Sequence, residues 1–257
     1  MNDINNIKNN SNFIKKNINL AYCPERIAEG EAFEELGKLP QIVGASENDV
    51  QEKATKFFQK LKVPTISTSI ENAIFTKLFT NAYRHANFSL ANEFYNIAVE
   101  NKIDFEDIRK LSTTDYPRLN NLPSTGYVGG PCLPKDLETF VKSYNVNNSL
   151  LNHLERVNDK FLDNIVDKCQ EIFKEKKLIQ LGLSFKINSD DTRGSGSIEL
   201  YKKLKKSGFE IYPVDPHIGQ ESLDFELFNF QDISNKTDNI LISVHHDKFK
   251  QLNFENK

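Results

Sequence analysis

The chain has 257 residues, of which 38% are hydrophobic and 11% aromatic, and this composition favours a protein with a buried core over a disordered one. Its 33 basic and 36 acidic side chains leave a net charge of −3, which argues against a nucleic-acid-binding surface as its main purpose. No apolar run is long enough to span a membrane, and the three distant cysteines form no disulfide framework, so we expect a cytoplasmic protein.

The first third of the chain predicts a tail followed by short strands and one helix. Residues 1–19 are polar and rich in Asn and Lys, which is typical of a flexible tail rather than of a signal peptide. INLAYCPE and LPQIVGA are each typical of a strand, with a polar loop between them. A helix capped near Ser46 should follow, and VPTISTS should be extended.

The middle of the chain predicts helices and one long loop. Residues 69–101 contain neither Gly nor Pro and have apolar residues at helical spacing, which predicts a single long helix of the interior or of an interface. Asp104 should cap the next helix. The loop at residues 115–134 is long for a connection, which is typical of a functional loop. Further helices are expected at residues 136–144 and 149–174.

From Lys177 onward, strands alternate with a helix. KLIQLGLSF, FEIYPVD and DNILISVHH predict strands, and SIELYKKLKKSG predicts a helix ended by Gly208. This order is typical of a parallel, Rossmann-like sheet. The predicted fold class is therefore α/β, with a mainly helical central domain at residues 20–176 and a Rossmann-like domain at residues 177–257, preceded by the tail.

The stretch GGPCLPKD places Cys132 in the long loop. Gly129 and Gly130 would let another molecule approach the backbone closely, and a helix starting near Pro134 would favour a thiolate at Cys132. A buried cysteine beside a turn is the alternative that the stretch leaves open.

Other polar residues are weaker candidates by themselves. Lys77 and Asn81 share one face of the long helix, where a solvated stripe is the ordinary interpretation. Lys186 and Arg193 follow the strand at Lys177, where open α/β sheets bind ligands.

Two kinds of site are not indicated by the pattern. The doublet His245 and His246 has no further ligands at suitable spacing, so no metal is expected. No G-x-G-x-x-G follows a strand, and RGSGS follows a loop without the downstream acidic residue of a dinucleotide fingerprint.

Several stretches occur together in a recognisable order: YCPERIAEG, KLFTNAYRHANFSLANE, YPRLNNLPSTGYVGGPCLPKD, GLSFKINSDDTR and YPVDP. They resemble the UDP-glucose/GDP-mannose dehydrogenase family of nucleotide-sugar 6-dehydrogenases over most of residues 20–250. The resemblance implies NAD-dependent oxidation of the C6 alcohol of a UDP-sugar to a carboxylate in two hydride transfers, as in surface polysaccharide synthesis.

The resemblance also implies a role for each catalytic candidate. Cys132 corresponds to the nucleophile that captures the aldehyde as a thiohemiacetal, which is then oxidised to a thioester. Lys77 and Asn81 correspond to the pair that stabilises the oxyanion and positions the sugar. Asp136 corresponds to the carboxylate that orders the catalytic water and the lysine, and Glu25 to an acid/base residue in thioester hydrolysis.

Substrate binding is implied for a second group of residues. Glu29 occupies a supporting position at the substrate site, and Gly129 lies in the loop beside it. Arg118 corresponds to an arginine that reaches the substrate of a neighbouring subunit, while Lys186 and Arg193 belong to the nucleotide-sugar-binding motif. The long helix corresponds to the dimer-forming helix of the family, so a homodimer is expected.

The resemblance is incomplete at the N-terminal side. The NAD-binding Rossmann domain of the family and its catalytic threonine find no counterpart in this sequence, so we expect a fragment or a split enzyme whose NAD is bound by a separate chain or a lost segment. A non-catalytic module for UDP-sugar binding or dimerisation is the alternative. PER after the first strand resembles the N-acetylhexosamine branch, whereas CLPKD retains the Lys-Asp of the glucose type. We favour a UDP-N-acetylhexosamine, with UDP-glucose as the alternative.

Overall fold

A computed structural model describes residues 19–28, 30 and 32–252 of the chain. These residues form two compact units. The first comprises the described residues up to Asn81 together with Thr139–Asn145, and the second comprises Ala82–Glu138 and the described residues from Val146 onward. The predicted tail at residues 1–19 lies almost wholly outside the described residues.

The first unit is built on a small mixed sheet of three strands in the order β1-β2-β3. The strand β1 pairs antiparallel with β2, and β3 pairs parallel with β2. A short helix α1 connects β1 to β2, and a longer helix α2 makes the crossover between the two parallel strands, as a parallel pair requires. Their bounds are β1 (Ala21–Tyr22), α1 (Ala32–Glu35), β2 (Gln41–Ala45), α2 (Asn48–Lys60) and β3 (Thr65–Thr68).

Two predictions for this unit were wrong in detail. The residue at the N-cap of α2 is Glu47 rather than Ser46, and its side chain makes no capping hydrogen bond. The segment predicted to be a polar loop contains α1. A side chain within α2 connects this helix to the sheet instead: Gln51 Nε2 donates to the carbonyl oxygens of Val43 (3.0 Å) and Thr68 (2.8 Å).

The predicted long helix is confirmed as α3 (Ile70–Glu100), which has 31 residues. The Oγ of Ser69 accepts the N–H of Asn72 at 3.1 Å and so caps its first turn. The next helix, α4 (Phe105–Thr113), is capped as predicted, since Asp104 Oδ1 accepts the N–H groups of Glu106 and Asp107.

Two further helices follow the long loop. They are α5 (Leu133–Ser143) and α6 (Leu154–Ile172), and short 3₁₀ turns precede them at Pro117–Leu119 and Leu150–His153. The helix α5 begins three residues before the predicted start at residue 136 and one residue before Pro134, near which a helix start was also predicted, so that Cys132 immediately precedes its first residue. No helix in the described part of the chain is long and apolar enough to cross a membrane.

The second unit contains a parallel sheet in the order β5-β4-β6. The predicted Rossmann-like arrangement is confirmed, with α7 as the crossover from β4 to β5 and a left-handed Gly208 (φ +88°) ending the turn after α7. The elements are β4 (Lys177–Leu181), α7 (Gly196–Lys206), β5 (Glu210–Val214), α8 (Phe230–Ile233) and β6 (Ile240–Ile242), with 3₁₀ turns at Gln220–Ser222 and Asp247–Gln251.

Both faces of this sheet are covered, which explains why β4 is an almost continuous apolar run. Leu178 packs in a cluster with α6 and α7, whereas Ile179 and Leu181 pack in a cluster with α8 on the other face. Each of these side chains is fully buried. Burial of one such side chain contributes about 1.5–3 kcal/mol to the free energy of unfolding, so β4 contributes strongly to the stability of this unit.

Candidate functional site

Cys132 occupies the N-cap of α5. Its carbonyl oxygen accepts the N–H of Asp136 at 2.9 Å, and its side chain is exposed. The free N–H groups of a first helical turn favour a negative charge placed beside them. The other two thiols differ, because burial raises the pKa of Cys23 and of Cys169. Cys132 is thus the most accessible of the three thiols.

Asp136 lies in the first turn of α5, four residues after Cys132, and is buried. The Nζ of Lys135 is 3.7 Å from its Oδ1. A buried carboxylate one helical turn from an exposed thiol can orient a water or a cation near that thiol.

The loop before Cys132 is joined to the turn that follows β4 by a contact between main chains. The N–H of Gly130 donates to the carbonyl oxygen of Gly194 at 3.0 Å. A Cβ added to Gly129 would overlap that same oxygen, and a Cβ on Gly130 would lie 2.8 Å from the ring of Phe185. These positions therefore need glycine, and they bring the loop of Cys132 next to the segment that carries Lys186 and Arg193.

The RGSGS stretch does not form a site for NAD. A Cβ on Gly194 would lie 2.9 Å from the carbonyl oxygen of Gly130, and one on Gly196 would lie 2.5 Å from the side chain of Tyr127. The space beside both glycines is already filled by this chain's own backbone and ring, whereas a dinucleotide site keeps such space for the pyrophosphate. The described residues of this turn do not fit NAD.

An open cavity of about 730 Å³ lies at the carboxyl ends of β4 and β6. Because β5 and β6 flank β4 on opposite sides, this is the switch point at which open α/β sheets bind ligands. Lys186 lines the cavity, with Nζ 5.8 Å from the ring centre of Phe185. Tyr127 lines it too, and burial, with the nearby charge of Glu155, raises the pKa of Tyr127 to about 12. The phenol therefore stays neutral and able to donate a hydrogen bond.

Arg193 is exposed and held by a carboxylate two residues before it. Its Nη2 is 2.6 Å from Asp191 Oδ2, and its Nε is 3.0 Å from Oδ1. The hydrogen bonds from the Arg193 guanidinium hold the pKa of Asp191 below its usual range. The pairing restricts the guanidinium to the turn beside Gly194, where it remains accessible to an anion.

A buried histidine holds the loop between Lys186 and Arg193. His246 Nε2 lies 3.0 Å from Asp215 Oδ2 and 3.3 Å from Ser184 Oγ, while Nδ1 accepts the backbone N–H of Asn188 at 2.9 Å. Burial lowers the pKa of His246, although Asp215 opposes this effect. The neutral ring follows from the geometry too, since Nδ1 can accept only when it carries no proton. Within the described residues no group of three or more His, Cys, Asp or Glu could hold a metal.

The remaining catalytic candidates lie in the first unit. Lys77, half-buried, and Asn81, buried, are on the same face of α3. Glu25 follows β1, and its Oε1 accepts the N–H groups of Arg26 and Ile27, both at 2.6 Å. Glu29 lies outside the described residues.

Arg118 is exposed in the 3₁₀ turn of the long loop, with its guanidinium carbon 5.4 Å from the ring centre of Tyr116. It borders a second cavity of about 590 Å³ with mostly apolar walls along α3, including Leu90, Phe94 and Ile97. This cavity is distinct from the one at the sheet.

Sequence comparison matches both parts of the chain to one family. Residues 71–160 match the central domain of the UDP-glucose/GDP-mannose dehydrogenase family, and residues 179–257 match the UDP binding domain of that family. The chain is 30% identical to UDP-N-acetyl-D-mannosamine dehydrogenase of Methanocaldococcus jannaschii, over 93% of this chain and 56% of the relative. It is 29% identical to NDP-N-acetyl-D-galactosaminuronic acid dehydrogenase of Ralstonia solanacearum, over 93% of this chain and 58% of the relative.

Solved structures agree with these matches. The UDP-D-ManNAc dehydrogenase of Pyrococcus horikoshii has a TM-score of 0.79 at 26% identity, covering 92% of this chain and 57% of that one. The UDP-N-acetyl-mannosamine dehydrogenase of S. aureus has a TM-score of 0.77 at 26% identity, and the match covers 97% of this chain and 62% of that one. The chain thus spans somewhat more than half the length of these relatives. The two domain matches occur in chain order and confirm the resemblance of the motifs, and the chain belongs to the UDP-glucose/GDP-mannose dehydrogenase family.

Proposed function

We propose that this chain is the substrate-binding, cysteine-bearing part of a nucleotide-sugar dehydrogenase that oxidises the C6 alcohol of a UDP-sugar. The observation that carries the proposal is the hydrogen bond between Gly130 and Gly194. It joins the loop of Cys132 to the turn that follows β4 and carries Arg193. Membership of the family supplies the reaction class.

The UDP-sugar would bind in the cavity at the ends of β4 and β6. Lys186 lines this cavity, and Arg193 lies on the turn before α7, three residues before the lining residue Gly196. Charge-assisted hydrogen bonds from such cations are the usual means of holding a diphosphate. Tyr127 adds a neutral donor on the wall of the cavity.

Cys132 would then act as the nucleophile toward the C6 aldehyde. Its sulfur forms a bond to the carbonyl carbon, and the carbonyl oxygen takes a proton, which gives a thiohemiacetal. For Lys77 and Asn81 we propose oxyanion stabilisation, and for Asp136 and Glu25 the ordering of water and acid–base steps that the resemblance implies. Formation of the aldehyde from the alcohol and oxidation of the adduct to a thioester each need a hydride acceptor, which is NAD in the family. Hydrolysis of the thioester by water then gives the carboxylate and regenerates the thiol. Since the glycines beside α7 do not fit NAD, we derive no step through it and propose that it binds to a separate chain or to sequence outside these residues.

A UDP-N-acetylhexosamine is the proposed substrate. Relatives from M. jannaschii and R. solanacearum are named for N-acetylated sugars, and a Bacillus subtilis relative at 29% identity is named a putative UDP-glucose 6-dehydrogenase. Titration calorimetry with UDP-N-acetylmannosamine, UDP-N-acetylglucosamine and UDP-glucose tests the proposal directly. We expect saturable binding, tighter for an N-acetylated sugar. Absence of binding by all three at millimolar concentration would overturn it.

A non-catalytic module for UDP-sugar binding or dimerisation is the second candidate. One observation favours dimerisation, in this module as in the enzyme. The helix α3 carries a row of exposed apolar side chains that recur at helical spacing: Phe79, Tyr83, Leu90, Phe94 and Ile97. We propose that a second copy of the chain covers this row in a homodimer. Sedimentation analysis should show a dimer that Leu90→Asp dissociates, and a monomer at high concentration would contradict this. The module is distinguished from the enzyme by mixing the chain with UDP-sugar, NAD and an NAD-binding partner chain and measuring NADH.

A further inference from the structure

Residues 126–130 lead directly toward Cys132 and lie outside every helix and strand of this part of the chain. Their backbone polar groups are nevertheless paired at alternate residues. The partners are two asparagine side chains from distant helices, each fully buried: Asn92 on α3 and Asn158 on α6.

Each asparagine makes two hydrogen bonds to one residue of the segment. Asn92 Nδ2 donates to the carbonyl oxygen of Gly126 at 2.8 Å, and Asn92 Oδ1 accepts the Gly126 N–H at 3.0 Å. Asn158 does the same for Val128, with Nδ2 donating at 2.9 Å and Oδ1 accepting at 2.8 Å. The two side chains take the place of a neighbouring strand.

Only an amide of this length supplies a donor and an acceptor in one plane to one backbone residue. An aspartate would keep the acceptor and lose the donor. An alanine would leave a backbone N–H and a C=O without their side-chain partner. This is costly at Val128, which is buried, and less costly at Gly126, which is exposed and where water can replace the lost partner. The pairing is therefore specific to asparagine.

Tyr127 and Gly130 are held by the turn before α7 rather than by the asparagines. Tyr127 packs against Gly196 at the start of α7, and Gly130 donates to Gly194. The chain is thus fixed from residue 126 to residue 130, and Cys132 follows after a single proline. The backbone is thus held by hydrogen bonds at Gly126, Val128 and Gly130, two residues before Cys132.

We propose that Asn92 and Asn158 are positioning residues for Cys132, and that their bonds to Gly126 and Val128 set the place of the thiol relative to bound UDP-sugar. The proposal rests on the proposed function for the sugar, but the effect of the two asparagines on the backbone does not.

The test compares Asn92→Ala and Asn158→Ala with Asn96→Ala in the full chain. Asn96 is a matched control because it is buried on the same helix and bonds Val157 and Asn164 rather than the segment before Cys132. Three quantities are measured: the melting temperature, the hydrogen–deuterium exchange of the peptide covering residues 126–130, and the protection of Cys132 from iodoacetamide by UDP-N-acetylglucosamine.

Each of the first two variants should exchange the amides of Gly126 or Val128 about tenfold faster and need about tenfold more UDP-sugar for half-protection of Cys132. The Asn96→Ala variant should have a melting temperature lowered to a similar degree. Its amide exchange at residues 126–130 and its protection of Cys132 by UDP-sugar should stay within about twofold of those of the unsubstituted chain. Should an alanine variant fail to fold, the serine variant at the same position replaces it, because a neutral hydroxyl fills part of the space and buries no charge, and it should show the same changes in smaller size.

Equal effects of all three variants, or unchanged exchange and protection in the first two, would overturn the proposal while leaving UDP-sugar binding intact. A different failure is recognisable: if UDP-sugar does not protect Cys132 even in the unsubstituted chain, the proposed function is wrong. The exchange measurement alone then decides whether the two asparagines hold the segment.

Discussion

His246 Nδ1 accepts the backbone N–H of Asn188 at 2.9 Å, and a proton on that nitrogen would replace an attraction by a repulsion. The bond holds the loop between Lys186 and Arg193, so the charge of one buried ring affects the wall of the candidate nucleotide site.

Stability should therefore fall in mild acid. Burial lowers the pKa of His246 in the folded chain, with smaller contributions in the same direction from His217 and His245. Below about pH 6.5, the ordinary pKa of histidine, the unfolded chain binds the proton more readily, so the free energy of unfolding decreases as the pH falls. Above that pH the contribution is complete. Urea unfolding from pH 7.5 to pH 5 measures it, and His246→Gln should show a shallower decrease. An identical decrease in the variant would show that other groups cause it.

Gly129→Ala should destabilise the chain by about 1–3 kcal/mol, since the added methyl overlaps the carbonyl oxygen of Gly194 and main-chain atoms cannot move aside as a side chain can. Gly126→Ala is the control, because a Cβ there meets nothing within 4 Å. Urea unfolding of both variants measures the difference. Equal stability would mean that the main chain at Gly194 shifts to admit the methyl group at no cost in free energy.

Cys132 should be alkylated first among the three cysteines. It is exposed at the N-cap of α5, whereas burial raises the pKa of Cys23 and Cys169 and so reduces their thiolate at neutral pH. Limiting iodoacetamide at pH 7, followed by peptide mass spectrometry, gives the order. Faster labelling of either other cysteine in the folded chain would make the loop an ordinary turn.

Arg193→Ala should weaken binding of a UDP-sugar by about 1–3 kcal/mol, the range for a lost hydrogen bond to a charged group. The control is Lys202→Ala, which removes an exposed cation paired with Glu199 on α7. Titration calorimetry compares the two variants. If Arg193→Ala binds as tightly as the control, the guanidinium does not contact the UDP-sugar.

Local pattern was sufficient for much of the fold. The long helix α3, the Asp104 cap and the three parallel strands follow from periodicity and from short capping signals, which are properties of neighbouring residues. The cap of α2 was misplaced because Ser46 is a better capping residue than Glu47, and the helix is instead held by Gln51 from inside.

The support of the candidate site could not be predicted in the same way. Asn92 and Asn158 look like ordinary polar residues of amphipathic helices, and their partners lie 34 and 30 residues away in the chain. Gly194 belongs to the RGSGS stretch noted in the sequence. Its carbonyl oxygen accepts the N–H of Gly130, however, and no local pattern relates these two segments of the chain. The roles assigned to Lys77, Asn81 and Glu25 stay predictions.

The contact between Gly130 and Gly194 has a consequence for divergence within the family. Because main-chain atoms make it, most side chains around it can change without disturbing it, provided that Gly129, Gly130, Gly194 and Gly196 remain. Exchanging the cavity-lining residues of the sheet would thus alter the preference for a sugar. The hydrogen bond from Gly130 to Gly194, which holds the loop of Cys132, would be kept. A chimera that keeps Gly194 and Gly196 and takes its other residues after β4 from a relative should retain the position of Cys132.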